Sequence, residues 1–199
     1  MSEQDRVEWD ATFRNHPPVS ADEPPQAFAS YAAAFPVTGT ALDIACGQGS
    51  GSVWLAKRGL QVWGVDVSGV AIEQALALAR RCGVADRCRF DVADLDDGLP
   101  PGPAVDVVVC HRFRDRRLYR QITERLNPGG LLAICVLSRV GAAPGRFRAE
   151  PGELSAAFTG LDVTVAGEGN GEAWLLARVP TDGDLAPDLH RGVGGHEHP

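Results

Sequence analysis

The sequence lacks the features that mark several classes of protein. Its five cysteines are an odd number and form no Cys-x-x-Cys pair, which argues against a disulfide framework or a zinc site. It has no run of about 18 apolar residues, so no membrane-spanning helix is predicted. The opening residues, MSEQDRVEWD, lack the apolar core of a secretory signal. We therefore expect a cytoplasmic protein with neither a metal nor a membrane partner.

Basic charge is also scarce, because 19 Lys and Arg stand against 26 Asp and Glu and give a net charge of -7. A general nucleic-acid binder needs a basic face, so no nucleic-acid partner is predicted. The 199 residues are 44% apolar, which suits one globular domain with a core. The sequence leaves the oligomeric state open.

What the chain does contain is a regular alternation of apolar runs and helical patterns. Five apolar runs separated by helical patterns predict parallel strands, and two closely spaced runs around GEGNGE predict an antiparallel hairpin. The predicted strands cover residues 41–45, 61–66, 88–92, 105–110, 131–137, 161–166 and 173–179. The fold class is therefore α/β: a doubly wound, mostly parallel, seven-stranded sheet of Rossmann-like type with a C-terminal antiparallel hairpin. Predicted helices include 50–58, one capped by Ser68, and short ones over 26–35 and 152–158.

Three segments follow from this pattern. Residues 1–39 form an N-terminal segment, residues 40–180 form the domain, and residues 181–199 have no periodicity and are predicted to be a disordered tail. The loop LDDGLPPGPA between the third and fourth strands is too short for a full helix, so that crossover is reduced. Little chain after the fifth strand is left to build a lid, and we expect the N-terminal segment to cover the site instead.

A glycine loop, LDIACGQGSG over residues 42–51, joins the first strand to a helix. Glycines there allow a tight turn and let a ligand approach the helix amides, and Asp66 follows Gly47 by 19 residues at the end of the second strand. An NAD site shares this spacing. However, Ser52 stands where the third glycine of that fingerprint would fall, and Asp43 would repel a pyrophosphate but attract an ammonium group.

These residues resemble a known family. The run Asp43-Ile44-Ala45-Cys46-Gly47-Gln48-Gly49 looks like motif I of class I S-adenosylmethionine-dependent methyltransferases. The resemblance covers roughly residues 40–180 and implies S-adenosylmethionine as the cofactor, with Asp66 on its ribose and Asp94 on its adenine amino group. The cofactor-binding residues implied are Asp43, Ala45, Cys46, Gly47, Gly49, Asp66, Val67, Asp94, Leu95 and Cys110. The stretches WDATFR and GELSAAF are similar to the tellurite-resistance and thiopurine branch, which acts on small molecules.

The fourth strand ends in Cys110-His111-Arg112-Phe113, where ligands bind in open α/β sheets. His111 either acts as the general base or only shapes the pocket. Arg112 can bind an anion in a bidentate manner, so a small, anionic acceptor is expected between His111, Arg112 and the N-terminal segment around Trp9 and Arg14. Trp9 and Phe13 either cover the cofactor or attach the N-terminal segment to the domain.

Several arginines lie close to the same strand end: Arg112, Arg114, Arg116, Arg117 and Arg120, with Arg139, Arg146 and Arg148 after the fifth strand. They form either an anion-binding patch or a solvated face. The function predicted is methyl transfer from S-adenosylmethionine to a small molecule. Two alternatives remain: an NAD-dependent oxidoreductase, and a domain that binds the cofactor or a partner without catalysis.

Overall fold

A computed structural model describes residues 3–21, 23–143, 145 and 147–181. The predicted tail lies outside the described residues, apart from Thr181. None of the helices in the described part is long and apolar enough to cross a membrane.

A seven-stranded sheet forms the centre of the described chain, in the order β3-β2-β1-β4-β5-β7-β6. The strands are β1 (Thr40–Ile44), β2 (Gln61–Asp66), β3 (Cys88–Val92), β4 (Val105–His111), β5 (Leu126–Leu137), β6 (Asp162–Gly169) and β7 (Glu172–Arg178). The first five strands are parallel, whereas β7 pairs antiparallel with both β5 and β6. The predicted fold class is confirmed. The strand order reverses between β1 and β4, and such a switch point is where open α/β sheets bind ligands.

Helices cover both faces of this sheet. They are α1 (Glu3–Asn15), α2 (Ser50–Arg58), α3 (Gly69–Arg81), α4 (Tyr119–Glu124) and α5 (Glu153–Ala157). Ser68 caps α3 as predicted, because its hydroxyl accepts the amide hydrogen of Ala71. Between β3 and β4 the described chain forms only the 3-10 turn Leu95–Asp97. The prolines that follow lack an amide hydrogen and disfavour a helix before them, so this crossover stays reduced, as expected.

Two local predictions need correction. The predicted helix over 26–35 is a 3-10 helix, Gln26–Ala34, with Tyr31 outside helical geometry. The fifth strand is predicted to begin at residue 131, after the run NPGG over residues 127–130, but β5 already begins at Leu126. Leu126 pairs with Val105 and Leu131 with Val107, so NPGG bulges out of the ladder between these two pairs.

The core has two layers because alternate residues of each strand face opposite sides of the sheet. On one side Ile44, Val108 and Ile134 pack with Leu154 and Phe158, which belong to α5 and the residue after it. On the other side Val109, Ala133 and Cys135 pack with Trp54 and Leu55 of α2 and with the two phenylalanines near 28–35. A one-residue slip of a strand would exchange these two sets, so burial on both sides fixes the register of the strand ends.

Candidate cofactor and acceptor site

The glycine loop lies at the carboxyl end of β1. Ala45, Gly47 and Gly49 all have positive φ, at 53°, 53° and 80°. The amide of Cys46 donates to the Val65 carbonyl at 2.9 Å, which joins the loop to β2. A methyl group added at Gly49 would lie 2.7 Å from the Ala75 side chain, so only glycine lets the loop approach α3 this closely. The loop therefore brings the amino end of α2 to the carboxyl edge of the sheet.

Asp43 is a buried carboxyl one residue before the end of β1. The Ser52 hydroxyl donates to its Oδ2 at 2.6 Å. Burial raises the pKa of Asp43 to about 7, against the opposing effect of the Ser52 hydrogen bond. A ligand ammonium group would favour the charged form. Ser52 thus uses its side chain to hold Asp43, at the position where a dinucleotide fingerprint would have glycine.

Asp66, at the end of β2, bonds to backbone on both sides. Its Oδ2 accepts the Gly47 amide hydrogen and its Oδ1 accepts the Ser68 amide hydrogen, each at 2.9 Å. Burial raises the pKa of Asp66, and these amide hydrogen bonds oppose that shift. Each oxygen has a second lone pair that can accept a hydrogen bond from a hydroxyl group. Asp66 therefore ties the glycine loop to the start of α3, a structural role that the sequence pattern did not reveal.

The third acid, Asp94, follows β3. Its Oδ1 accepts the Asp96 amide hydrogen at 2.9 Å and so caps the 3-10 turn. The neighbouring Leu95 is only 2% exposed and Val67 only 6%. These two predicted cofactor residues contribute their side chains to the core, which leaves their backbone for a ligand. Since β1, β2 and β3 are adjacent and parallel, all three acids lie at one edge of the sheet.

Helix α1 is attached to the amino end of α3. Asp10 accepts hydrogen bonds from the Ser68 hydroxyl at 2.6 Å and from the Val70 amide at 3.3 Å. The Gln74 side chain donates to the carbonyl of Phe13 at 3.0 Å. The Ser68 hydrogen bond, foremost, lowers the pKa of Asp10. The N-terminal segment is thus held over the end of β2.

The aromatic residues of α1 lie beside the glycine loop. The Phe13 ring is so placed that a methyl group added at Gly47 would lie 3.3 Å from it. The Trp9 and Phe13 ring centroids are 5.9 Å apart. Trp9 is 41% exposed and Arg14 is also exposed. Because α1 packs chiefly on α3, it lies on the β2 side of the loop, whereas His111 ends β4 on the other side of β1. That Trp9 and Arg14 share a pocket with His111 therefore stays a prediction.

At the end of β4 the two predicted residues differ in burial. Cys110 is buried, and its thiol donates to the Phe113 carbonyl at 3.3 Å, so only its backbone is available to a ligand. His111 is half-buried and lies opposite Cys135 of β5. Polar atoms of His111, Cys135 and Glu172 lie within 4.8 Å of one another. Burial lowers the pKa of His111, the Arg112 charge lowers it further, and Glu172 acts in the opposite direction.

Arg112 turns the chain away from β4. Its φ is 60°, and its amide donates to the Cys135 carbonyl at 2.7 Å. Its guanidinium donates twice to Glu172 Oε1, from Nε at 3.0 Å and from Nη2 at 2.9 Å. Glu172 begins β7. No local signal identifies it, because Arg112 and Glu172 are 60 residues apart and meet only through the pairing of β5 with β7.

The surrounding arginines are largely neutralised by carboxylates. The pairs are Arg114 with Glu153, Arg117 with Asp96 and Asp115, Arg120 with Glu124, and Arg139 with Glu150. Arg148 donates to the carbonyls of Ser138 and Gly171. Arg146 lies outside the described residues. The pairing favours a solvated, charge-balanced face over a broad anion-binding patch.

Comparison with known proteins agrees with this geometry. Residues 41–130 match the family model described as a methyltransferase domain. Over these residues the chain resembles a methyltransferase domain. Methyltransferase GfsG from Streptomyces halstedii is 36% identical over 100 residues, which are 47% of this chain and 36% of that protein. The ribosomal RNA small subunit methyltransferase C of Alcanivorax borkumensis is 36% identical over 104 residues, which are 47% of this chain and 31% of that protein.

Among solved structures, TehB from Haemophilus influenzae superposes with a TM-score of 0.65 at 19% identity, over 77% of this chain and 60% of that one. This likeness concerns the fold. The chain spans about a third of the length of the two curated relatives it matches. The predicted resemblance to S-adenosylmethionine-dependent methyltransferases is thus borne out over residues 41–130, and the match supports S-adenosylmethionine as the cofactor.

The hydrogen-bond acceptors at this edge of the sheet fit that cofactor. The glycine loop from Asp43 to Gly49 contains no Lys or Arg, and carboxylates end the strands on either side of it. Carboxylates suit an ammonium group, ribose hydroxyls and an adenine amino group, all of which donate hydrogen bonds. They do not suit a pyrophosphate. This chemistry argues against the NAD-dependent alternative.

Proposed function

We propose that the methyltransferase domain transfers the methyl group of S-adenosylmethionine to a small molecule that carries an anionic group. The observation that carries this proposal is the end of β4, where His111 and Arg112 stand next to the strand that bears the glycine loop. In open α/β sheets the ends of these two neighbouring strands flank the ligand crevice. A base and an anion-binding group there are suited to a small polar acceptor.

Three acids and the backbone around them would hold the cofactor. Asp43 suits the ammonium group because it is buried and no cation of the described residues pairs with it. Asp66 suits the ribose, because each oxygen keeps a lone pair after accepting an amide hydrogen. Asp94 suits the adenine amino group, with the backbone of Val67 and Leu95 beside it. Helix α1, through Phe13, would close the site at Gly47.

The chain's own contribution to the chemistry is alignment and proton removal. S-adenosylmethionine supplies an electrophilic methyl carbon and leaves as S-adenosylhomocysteine. A neutral His111 accepts the proton of the acceptor's hydroxyl or amine, whose lone pair forms the new bond to carbon. Arg112 binds the acceptor's anion and fixes its orientation. Water exclusion strengthens both interactions.

The same features favour a free metabolite over a macromolecule. The net charge is -7, and most of the described arginines near β4 are paired with carboxylates, so the described part of the chain offers no continuous basic surface to a nucleic-acid backbone. We also infer a cytoplasmic location, since the five cysteines are all free.

Calorimetry and product analysis test this function. We expect S-adenosylhomocysteine to bind and NAD not to bind. Incubation with methyl-labelled cofactor and a panel of hydroxylated or aminated carboxylic acids, with neutral analogues as controls, should label an acid more than its neutral counterpart. Asp94→Asn should weaken binding, whereas the matched change Asp97→Asn, in the same 3-10 turn, should not. NAD binding without binding of the sulfur nucleoside would overturn the proposal.

A second candidate function is cofactor or partner binding without catalysis. It is favoured by the ion pair of Arg112 with Glu172, since both the anion-binding group and the nearest acid are already occupied. Tight binding of S-adenosylhomocysteine, combined with no product from any acceptor in the panel, would support it.

A further inference from the structure

Three strands bring their polar side chains together at the acceptor end of the sheet. His111 ends β4, Cys135 lies opposite it on β5, and Glu172 begins β7. Their nitrogen, sulfur and carboxylate atoms are all within 4.8 Å of one another. In the described part of the chain no hydrogen bond is made by the His111 ring. The imidazole therefore lies close to a carboxylate without yet being bonded to it.

The charge that keeps Glu172 from His111 is the Arg112 guanidinium. Both guanidinium hydrogen bonds go to the same oxygen, Oε1, so the other oxygen of Glu172 accepts none from the described residues. Arg112 is 63% exposed in its side chain and Glu172 is 28% exposed. An exposed pair of this kind is weak, typically about 0–1 kcal/mol, so a ligand can exchange it.

The third member of the cluster, Cys135, stays neutral. Its side chain is fully buried, and burial raises the pKa of the thiol to about 12. Although thiols, imidazoles and carboxylates all occur at zinc sites, a protonated thiol and a carboxylate already paired with Arg112 do not favour a metal ion. The charged groups that face His111 among the described residues are therefore Arg112 and Glu172.

We propose that Glu172 is the positioning residue for His111. The ion pair with Arg112 keeps Glu172 away from His111 until an anionic acceptor binds the guanidinium in place of Glu172. Binding of the acceptor's carboxylate to Arg112 then frees Glu172 to accept a hydrogen bond from the imidazole. The exchange couples acceptor binding to preparation of the base. It rests on the proposed function and deepens it, because it makes the acceptor's anionic group part of the catalytic arrangement.

The proton balance of the step is simple. The acceptor's O–H or N–H bond breaks and its proton goes to the free nitrogen of His111, while the acceptor's electron pair forms the bond to the methyl carbon. The carbon–sulfur electron pair stays with the leaving S-adenosylhomocysteine. Glu172, bonded to the other imidazole nitrogen, stabilises the imidazolium and is not itself protonated.

NMR titration of the His111 ring tests the arrangement in the free protein, with a His111→Gln variant to assign the signal. We expect Glu172→Gln to lower the pKa of His111 relative to wild type, because it removes the neighbouring negative charge. Arg112→Ala should raise the pKa of His111. Because this variant leaves Glu172 unaltered, it still tests the arrangement if Glu172→Gln folds poorly. Glu150→Gln, which breaks the comparable pair with Arg139, is the matched control and should leave the titration unchanged.

Benzoate, as a simple carboxylate, tests the exchange of partners. Added with S-adenosylhomocysteine, it should raise the pKa of His111 in wild type and have no effect on Arg112→Ala. In Glu172→Gln the response should be reduced. The pH profile of methyl transfer should then shift to lower pH in Glu172→Gln, with KM for the acceptor little changed.

Three results would overturn the assignment. The first is an identical His111 titration in Glu172→Gln and Glu150→Gln. The second is a benzoate response that persists in Arg112→Ala. The third is Co²⁺ binding with a thiolate absorption band that Cys135→Ser abolishes, which would make the cluster a metal site. The titrations in the free protein need no cofactor. They can therefore contradict the role of Glu172 while S-adenosylhomocysteine still binds and product still forms, which would leave the proposed function standing.

Discussion

Two buried carboxyl groups have pKa values that move in opposite directions. One lies at the ends of β1 to β3, the cofactor edge, where the cofactor is proposed to bind. The other lies beside the end of β4, the acceptor edge, where the acceptor is proposed to bind. Burial raises the pKa of Asp43 to about 7, and one hydroxyl, from Ser52, opposes it. Glu153, at the start of α5, is also buried, yet its pKa falls to about 2. Arg114 donates to both of its oxygens, at 2.7 and 2.6 Å, and the Tyr119 hydroxyl donates at 2.8 Å.

The difference lies in the partner that each fold region supplies. Glu153 receives a cation from the chain itself, so its charge is stabilised without any ligand. Asp43 receives none from the described residues, so a cation that arrives from outside would favour its charged form. A buried acid without a cation thus indicates a binding role, and a buried acid with one indicates a structural role. At neutral pH the carboxyl of Asp43 therefore lowers the stability of the fold, and the carboxylate of Glu153 raises it.

The largest expected effect comes from Asp43→Asn. Because the pKa of Asp43 is higher in the folded than in the unfolded chain, stability falls as pH rises from about 4 to about 7. The Asn variant does not have this loss, so it should gain up to about 4 kcal/mol over wild type at pH 8 and nothing near pH 4. Urea unfolding at the two pH values measures the difference. Equal gains at both values would contradict the assignment.

The same variant should bind its ligand less well. S-adenosylhomocysteine has an ammonium group, whereas methylthioadenosine has none. Asp43→Asn should therefore weaken binding of the first and leave the second unchanged in calorimetry. An equal loss for both nucleosides would place Asp43 elsewhere in the site.

Glu153→Gln should show the opposite pH dependence, with an effect of about 3 kcal/mol. The pKa of Glu153 is lower in the folded chain than its ordinary 4.5, so its contribution is complete above pH 4.5 and is lost as pH falls through about 2. The variant also leaves Arg114, 19% exposed in its side chain, without its carboxylate. Unfolding at pH 7 and pH 2.5 checks this. Glu124→Gln, in the exposed pair with Arg120, is the control and should change stability little.

The cofactor edge was largely predictable because its contacts are short in sequence. Asp43 and Ser52 are 9 residues apart, and Gly47 and Asp66 are 19 apart, so one strand–loop–helix unit contains the pattern. The family resemblance identified these residues, and the structure shows the hydrogen bonds that hold their side chains in place. What it adds is that Asp66 also holds the loop together.

The acceptor edge was less predictable because distant segments build it. Glu172 reaches Arg112 across 60 residues, and Glu153 reaches Arg114 across 39. Nothing local in the run of arginines reveals which carboxylate will neutralise each one. The NPGG bulge is not predictable for a related reason, since a bulge depends on how the neighbouring strand pairs.

Asp66→Ala should combine the two roles that Asp43 and Glu153 keep separate. It removes an acceptor from the amides of Gly47 and Ser68, and an unsatisfied buried amide costs about 1–3 kcal/mol. It should therefore lower the melting temperature, unlike Asp43→Asn. Binding of both S-adenosylhomocysteine and methylthioadenosine should weaken by roughly 1–3 kcal/mol, because the ribose is common to them. Asp162→Ala, exposed on β6, is the control. Unchanged stability with lost binding would show that the glycine loop does not depend on the hydrogen bonds of Asp66.

The smallest effect separates the backbone of Arg112 from its side chain. Arg112 has φ of 60°, a conformation that glycine adopts readily and other residues adopt at a cost of about 1 kcal/mol or more. Arg112→Ala loses only an exposed ion pair and keeps the strained backbone, so its free energy of unfolding should fall by less than about 1 kcal/mol. Arg112→Gly loses the same pair but relieves the backbone strain. Glycine is more flexible in the unfolded chain, which offsets part of this gain, so Arg112→Gly should be more stable than Arg112→Ala by about 0.5–1 kcal/mol.

Both Arg112 variants remove the guanidinium, so both should raise the pKa of His111 equally and raise the acceptor KM without changing S-adenosylhomocysteine affinity. Urea unfolding and the histidine titration are read on the same pair of proteins. If the glycine variant were less stable and also differed in the titration, the orientation of the end of β4 would depend on the backbone at Arg112. Backbone geometry would then matter at the acceptor edge, as it does in the glycine loop, and not ion pairs alone.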